Sequence, residues 1–447
     1  MSRDSKDSRA LAETLVAYGK RKGATEVEVT ITEGSEFGVE VLDQNIESLQ
    51  ESGTRDLNLR VLVDGRTATA SSSDFSEETL QRLVTNAVAR ARLSGKDPYA
   101  GLPETRPQAV KAEALNIYDP AIPPMPPEAK IAFARQIEAV GIGDKRIKKS
   151  TGASCGTWTG RRTLVNSKGF AGAYGKTLVW YGGAFQAGEG ENLFQDGWYD
   201  GATSLGALMD PESLAKKAVG RVVRLVGARK VETQNVPVVF EPPMTAQILG
   251  FLGRCLGGPS VDRRQSFLVG RIGEKVGNER VNVVDDATLA GGRGTWPFDD
   301  EGVPAARTAV LEKGVLKSYL LDTYYGKKLG MKSTGNSSGP TNLYWAAGDK
   351  TPEQIIASVD RGLLLTGTLG QGTVPTTGDI SVGAFGLWIE KGEVAFPVAE
   401  ITISGNLGEM LGKVEMVGSD LEFRRAVTGP TVKFAEMTVG GTSPAKA

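Results

Sequence analysis

Leu57-Asn58-Leu59-Arg60-Val61-Leu62-Val63-Asp64-Gly65 is the run from which the fold can be read. Its start alternates apolar and polar residues with period two, as a half-buried strand does, and Asp64-Gly65 then reads as a tight hairpin turn. Working outward, Glu26-Val27-Glu28-Val29-Thr30-Ile31 alternates in the same way. Before it, Leu11, Leu15 and Tyr18 recur near helical spacing, with Gly23 as the stop. After it, from Ser76, Leu80, Leu83, Val84, Ala87, Val88 and Ala91 make one apolar stripe, while Glu77 and Glu78 suit the positive amino end of a helix. Helices and strands therefore alternate from the outset.

Further on, Asp119 to Pro127 holds five prolines, a stiff connector. Pro127 suits the first position of a helix that Gly141 is expected to close. Asp210-Pro211-Glu212 opens another helix, with Leu214, Ala218, Val222 and Leu225 on one face. The polar stretch 228–235 follows. A chain of 447 residues is too long for one ordinary core, so the expected domains are 1–229 and 230–447. In the second, Leu311-Glu312-Lys313-Gly314-Val315 and Ile389-Glu390-Lys391-Gly392-Glu393 each place a glycine between extended runs, and two hairpins are expected. Thr351-Pro352-Glu353 caps a helix with Ile355, Ile356 and Val359 inward. The 57 glycines are about twice the usual share and gather in this half, where they call for many turns and close backbone approaches.

Composition excludes more than it suggests. The 52 basic and 53 acidic residues cancel to −1, and histidine is absent. No Ser-His-Asp or Cys-His nucleophile system and no imidazole-ligated zinc site can be built from this chain. Cys155 and Cys255 lie too far apart for paired-ligand spacing, and two cysteines make no disulfide scaffold. Reduced thiols, a polar start at Met1–Asp7 with no apolar signal core, and no apolar run approaching the roughly 18 residues of a membrane span lead to the expectation of a cytoplasmic protein.

Each local motif has a plainer alternative. Phe170-Ala171-Gly172-Ala173-Tyr174-Gly175-Lys176-Thr177 ends like a phosphate loop, but Phe170 occupies the place of the first glycine, and a strand turn is expected instead. Lys145-Arg146-Ile147-Lys148-Lys149 is short and without aromatic interleaving, so it reads as a solvated surface and not as a nucleic-acid contact. Asp299-Asp300-Glu301-Gly302 lacks the spaced oxygen ligands of a cation loop and reads as a polar turn. Arg254 beside Cys255 could lower a thiol pKa, yet no imidazole base exists, and a buried structural thiol is expected.

Several stretches together resemble the TldD/PmbA family in its PmbA (TldE) branch. They are 60–66 with the helix after it, Leu164-Val165-Asn166-Ser167-Lys168-Gly169, Asp299–Pro304, Ser333-Thr334-Gly335-Asn336, Thr377-Gly378-Asp379-Ile380-Ser381 and Glu436–Thr442. The resemblance implies an α+β fold with two domains, a sandwich-like N-terminal α/β domain and a C-terminal domain of curved, mostly antiparallel β-sheet. In the family, the TldD-type subunit is a metallopeptidase whose metal helix bears His-Glu-x-x-x-His, with a late cysteine as third ligand. The corresponding helix here is Ile248-Leu249-Gly250-Phe251-Leu252-Gly253-Arg254-Cys255. Gly250 falls at the first histidine, Phe251 at the glutamate and Cys255 at the second histidine, and Met416 lies near the place of the late cysteine. The resemblance therefore implies a degenerate metal site with no catalytic or metal-binding residues.

By the same resemblance, the chain is a non-catalytic subunit of a complex that processes leader peptides and unfolded peptides. It would carry no cofactor, with zinc in a TldD-type partner. The implied partners are that paralogue, or a second copy of this chain, together with peptides, and neither nucleic acid nor membrane. Arg254, Asp299, Glu301 and Asn336 are the candidate contacts to peptide or partner. A stand-alone homodimeric peptide-binding protein is the alternative, and an independent enzyme using carboxylates or the Arg254-Cys255 thiol ranks below both.

Overall fold

The computed structural model describes residues 3–104, 110–370 and 372–442. Met1 and Ser2 of the polar start lie outside the described residues. The amino half is one antiparallel sheet made of β1 (Glu26–Leu42), β2 (Asn45–Val63), β3 (Arg66–Ser72), β4 (Ile147–Asn166), β5 (Ala171–Ala187) and β6 (Phe194–Ala202), in the order β3-β2-β1-β4-β5-β6. Its helices are α1 (Arg3–Arg21), α2 (Glu77–Leu93), α3 (Pro127–Ile142) and α4 (Pro211–Val223).

Strand alternation assigns the two faces of this sheet. Val27, Val29, Ile31, Leu57, Leu59, Val61 and Val165 pack under α1 and α2. Phe37, Val39, Val41, Ala153, Cys155 and Tyr181 pack under α3 and α4. All are odd-numbered, so the four helices cover one face and the even-numbered side chains in the paired runs of β1, β2, β4 and β5 project from the other. The Asp64-Gly65 turn forms as read, with φ of 49° and 79°. At the β1–β2 turn, the buried Glu138 of α3 accepts the backbone N–H groups of Asp43 and Gln44 at 3.0 and 2.7 Å.

Two local expectations change. The strands run much further than the alternating hexapeptides suggest, because β1 and β4 pair along 14 residue positions. Gly141 does not end α3, which continues to Ile142; a Cβ at Gly141 would lie 2.0 Å from Phe185 Cζ, so the glycine admits the ring of β5 beneath the helix.

From residue 234 the strands are β7 (Gln234–Phe240), β8 (Val283–Asp286), β9 (Arg307–Glu312), β10 (Val315–Leu316), β11 (Leu343–Trp345), β12 (Arg361–Leu369), β13 (Thr373–Val374), β14 (Asp379–Glu390), β15 (Glu393–Asn406), β16 (Val414–Val417), β17 (Val427–Thr428) and β18 (Val432–Gly440). β12, β7, β18, β15 and β14 are joined in that order, and β14 pairs back to β12, so this sheet curves until it closes on itself. A second sheet, β10-β9-β8-β11-β17, lies across α5 (Pro242–Leu256) from β7 and β12, and one continuous core fills the space between. The hairpins at 313–314 and 391–392 form with consecutive positive φ, and Thr351 with Gln354 makes a reciprocal cap on the helix Pro352–Ala357. The fold is thus α+β, with a helix-backed antiparallel sheet followed by a curved, mostly antiparallel one.

Candidate functional site

Helix α5 starts after Glu241 with two prolines at its first positions, where their missing N–H groups cost nothing. One side of α5 enters the core through Leu249, Leu252, Cys255 and Leu256. Another borders a cleft of about 530 Å³ between Phe251, Gln247 and Arg254 on the helix, Thr368 on β12, and Thr373 and Pro375 beyond it. Gln247 accepts from Thr368 Oγ1 at 2.9 Å, and Arg254 Nη2 donates to Thr373 Oγ1 at 3.2 Å. β13, which forms the far wall, pairs with β14 and, among the described residues, with no other strand.

The three positions read as a degenerate metal site are chemically blank. A Cβ on Gly250 would meet nothing within 4 Å, so space exists there but no donor. Phe251 offers a phenyl ring to the cleft. Cys255 is fully buried in the core, and burial pushes its thiol up to about 12, so it stays protonated. The expectation of a structural thiol holds, and Cys155 is buried in the same way. Among the described residues, no three His, Cys, Asp or Glu side chains stand where they could hold a metal ion.

Of the four candidate contacts, Arg254 alone is exposed at this cleft. Asn336 is buried: its amide donates to Asp285 Oδ2 at 2.8 Å and Gly339 O at 3.0 Å, and its oxygen accepts from Thr334. Asp299 and Glu301 are buried too while Asp300 between them is exposed, so this segment is a polar turn, as expected, with two of its three carboxylates out of solvent. Asp299 Oδ1 accepts the N–H groups of Glu301 and Val303 at 3.0 and 2.8 Å, closing its own turn. Glu301 reaches across to the amino half: Arg60 Nη1 donates to its Oε1 at 3.3 Å, and Thr323 N donates to its Oε2 at 2.8 Å.

Arg60 also pairs with Glu28 at 3.1 Å, and Arg162 pairs with Asp300. Carboxylates outnumber guanidinium groups at this junction. Burial, with Glu301 nearby, raises Glu28 to about 7 and Asp299 to about 6. Glu28 and Arg162 were not singled out from sequence. The available signal was their even parity in long strands, which puts both on the face without helices.

Comparison with known proteins follows the same pattern. Family models described as PmbA/TldA metallopeptidase domain 1, central domain and C-terminal domain match residues 27–91, 120–226 and 233–441. Metalloprotease PmbA of Escherichia coli O157:H7 is 32% identical over 427 residues, covering 95% of this chain and 94% of that one. The chain belongs to the PmbA/TldD family. A proposed modulator of DNA gyrase from Bacteroides thetaiotaomicron superposes with a TM-score of 0.90 at 28% identity, covering 99% of this chain and 100% of that one. TldE from Thermococcus kodakarensis shares the fold, with a TM-score of 0.87 at 23% identity over 96% and 100% of the two chains. The first two PmbA/TldD family domains are distinct models, yet their strands pair here in a single sheet. The metal implied by the family description does not fit the donors at Gly250, Phe251 and Cys255. Among the described residues, no helix is long and apolar enough to cross a membrane.

Proposed function

We propose that this chain is the metal-free, PmbA (TldE)-type subunit of a peptidase complex whose zinc and cutting chemistry reside in a TldD-type partner. One observation carries the reading: in a chain 32% identical to a metalloprotease over 95% of its length, helix α5 presents glycine, phenylalanine and a buried thiol and no ligating set. A hydrolytic zinc site needs about three protein ligands and a water position, and there is no imidazole anywhere in the sequence to supply them.

The cleft beside α5 retains what a peptide needs even without metal. Phe251 and Ile248 give it apolar walls, Arg254 brings a cation, and the unpaired side of β13 offers main-chain groups to an extended chain. Leader peptides and unfolded segments are the substrates that suit such an edge, since they have main-chain groups to pair. Zinc belongs to the partner, a TldD-type paralogue, in a heterodimer.

Co-expression of the chain with a TldD-type paralogue from the same genome tests this. The expected result is co-purification in equal amounts and faster cleavage of an unfolded peptide than by the paralogue alone. Absence of both association and acceleration refutes it, and a lone homodimer that captures peptides would then stand in its place.

A further inference from the structure

The face of the amino-terminal sheet opposite the four helices carries aromatic rings laid on glycines. A Cβ on Gly156 would lie 2.3 Å from Trp180 Cζ2, one on Gly160 2.3 Å from Trp158 Cη2, and one on Gly182 2.2 Å from Tyr199 Cδ1. These pairs are cross-strand or two residues apart on one strand: Gly156 faces Trp180, Gly182 faces Tyr199, and Gly160 follows Trp158. Any side chain at those glycines would lift the ring off the sheet. The glycines thus make a flat aromatic floor on strands that are otherwise ordinary.

Above this floor stand loops of the carboxyl half, bordering two contiguous open pockets of about 510 and 540 Å³ that share Leu178, Trp180 and Arg293. The charges in them are unbalanced. Lys176 is buried, and its Nζ is held by the carbonyls of Arg293 at 2.6 Å and Thr295 at 2.9 Å, with no carboxylate paired to it among the described residues. Burial pulls its pKa down to about 8. Arg293 is half-buried and lies over Gly201; burial, and then Arg425 at the rim, disfavour its cation, and the opposing pull of Asp200 comes from a carboxylate already paired with Arg424. Among the described residues, neither Arg293 nor Arg425 forms an ion pair, and neither guanidinium donates a hydrogen bond. A desolvated cation without a partner costs free energy that a bound anion recovers.

We propose that this groove is a binding site for a peptide carboxylate flanked by an apolar or aromatic side chain, with Arg293 and Arg425 taking the carboxylate and Trp158, Trp180 and Tyr199 taking the neighbouring side chain. The planar fork of a guanidinium matches a carboxylate with two parallel hydrogen bonds. Single-stranded nucleic acid also uses cations with aromatic rings, but Glu36, Asp200 and Asp300 line the same cavities and oppose a run of phosphates. The site deepens the peptide-handling reading and rests on it only for the choice of a peptide. It lies on a different sheet from the α5 cleft, and its test needs neither partner nor zinc.

The carboxylate has two sources, an acidic side chain or the peptide's own C-terminus. Four labelled probes separate them by fluorescence polarisation on the isolated full chain: an amidated peptide with an internal Asp-Phe-Asp, the Asn-Phe-Asn version with a free C-terminus, the same version amidated, and a short oligothymidylate. The expected result is that one of the carboxylate probes binds about tenfold tighter than the amidated neutral peptide, and that R293Q and R425Q each erase most of that difference. Because neither guanidinium donates a hydrogen bond or forms an ion pair among the described residues, and the Arg293 carbonyl that holds Lys176 is backbone, both variants should melt within a few degrees of wild type, so a lost signal reports the site and not unfolding. Equal binding of charged and neutral peptides, affinity unchanged in R293Q, or preference for the oligonucleotide overturns the proposal. If carboxylate preference is absent while the co-expressed partner still cleaves faster, this site alone is refuted.

Discussion

Replacing Glu28 by glutamine should flatten the pH dependence of stability. Glu28 sits at the junction of the two halves with Arg60, Glu301 and Arg162 close by, and burial raises it from the ordinary 4.5 to about 7. An unfolded Glu28 releases its proton near 4.5, whereas the folded protein keeps it to about 7. The folded state therefore binds more protons across that interval, and stability falls as pH rises through it. The stabilisation is fully present below about 4.5 and lost above about 7. A displacement of this size corresponds to about 3 kcal/mol. Asp299 acts in the same direction over a lower window, from 3.8 to about 6. Glutamine mimics the protonated form at every pH and removes the Glu28 share.

Urea unfolding of wild type and Glu28→Gln at half-unit steps from pH 5 to pH 8 measures it. The two stability curves should diverge by about 2–3 kcal/mol over that range, wild type losing more as pH rises. Parallel curves would show that Glu28 titrates normally and that the junction is not the buried, carboxylate-rich site described above.

The buried thiols give a second test. With Cys155 and Cys255 both pushed up to about 12 by burial, the native protein should show no reaction with a disulfide reagent at pH 8, and both thiols should react once it is unfolded in guanidinium. Gly156→Ala drives a methyl group into the Trp180 ring at 2.3 Å and should cost about 1–3 kcal/mol in denaturant unfolding, with a shifted tryptophan emission. Asp210→Ala removes the cap that accepts Ser213 N–H at 2.9 Å at the start of α4 and should lower stability by about 1 kcal/mol, while Asp210→Asn should be nearly neutral.

What could be read from the sequence was mainly local. Asp64-Gly65, Lys313-Gly314 and Lys391-Gly392 became two-residue hairpin turns because their backbone demands are met within the turn itself. The stripe through Leu80, Val84, Ala87 and Ala91 became the buried face of α2 for the same reason. What escaped was non-local. Gly141 looks like a helix stop, and only Phe185, arriving from β5, gives it another purpose. Asp299-Asp300-Glu301 looks like a polar turn, and nothing in that short window shows that Arg60 and Arg162, on strands far earlier in the chain, pair with Glu301 and Asp300 and dock it on the first sheet. At the site, the blank positions on α5 could be read from residue type alone, whereas the aromatic floor requires the registers of β4, β5 and β6, which no short window encodes.

On the proposed function, this polypeptide has no donor set with which to bind and activate zinc. The most direct measurement is the metal content of the purified chain after equilibration with zinc and removal of the excess, taken together with hydrolysis of an unfolded peptide by the same sample. The expected result is far less than one ion per protomer and no turnover above buffer. One tightly held ion per protomer, with cleavage abolished by a chelator and restored by zinc, would contradict it.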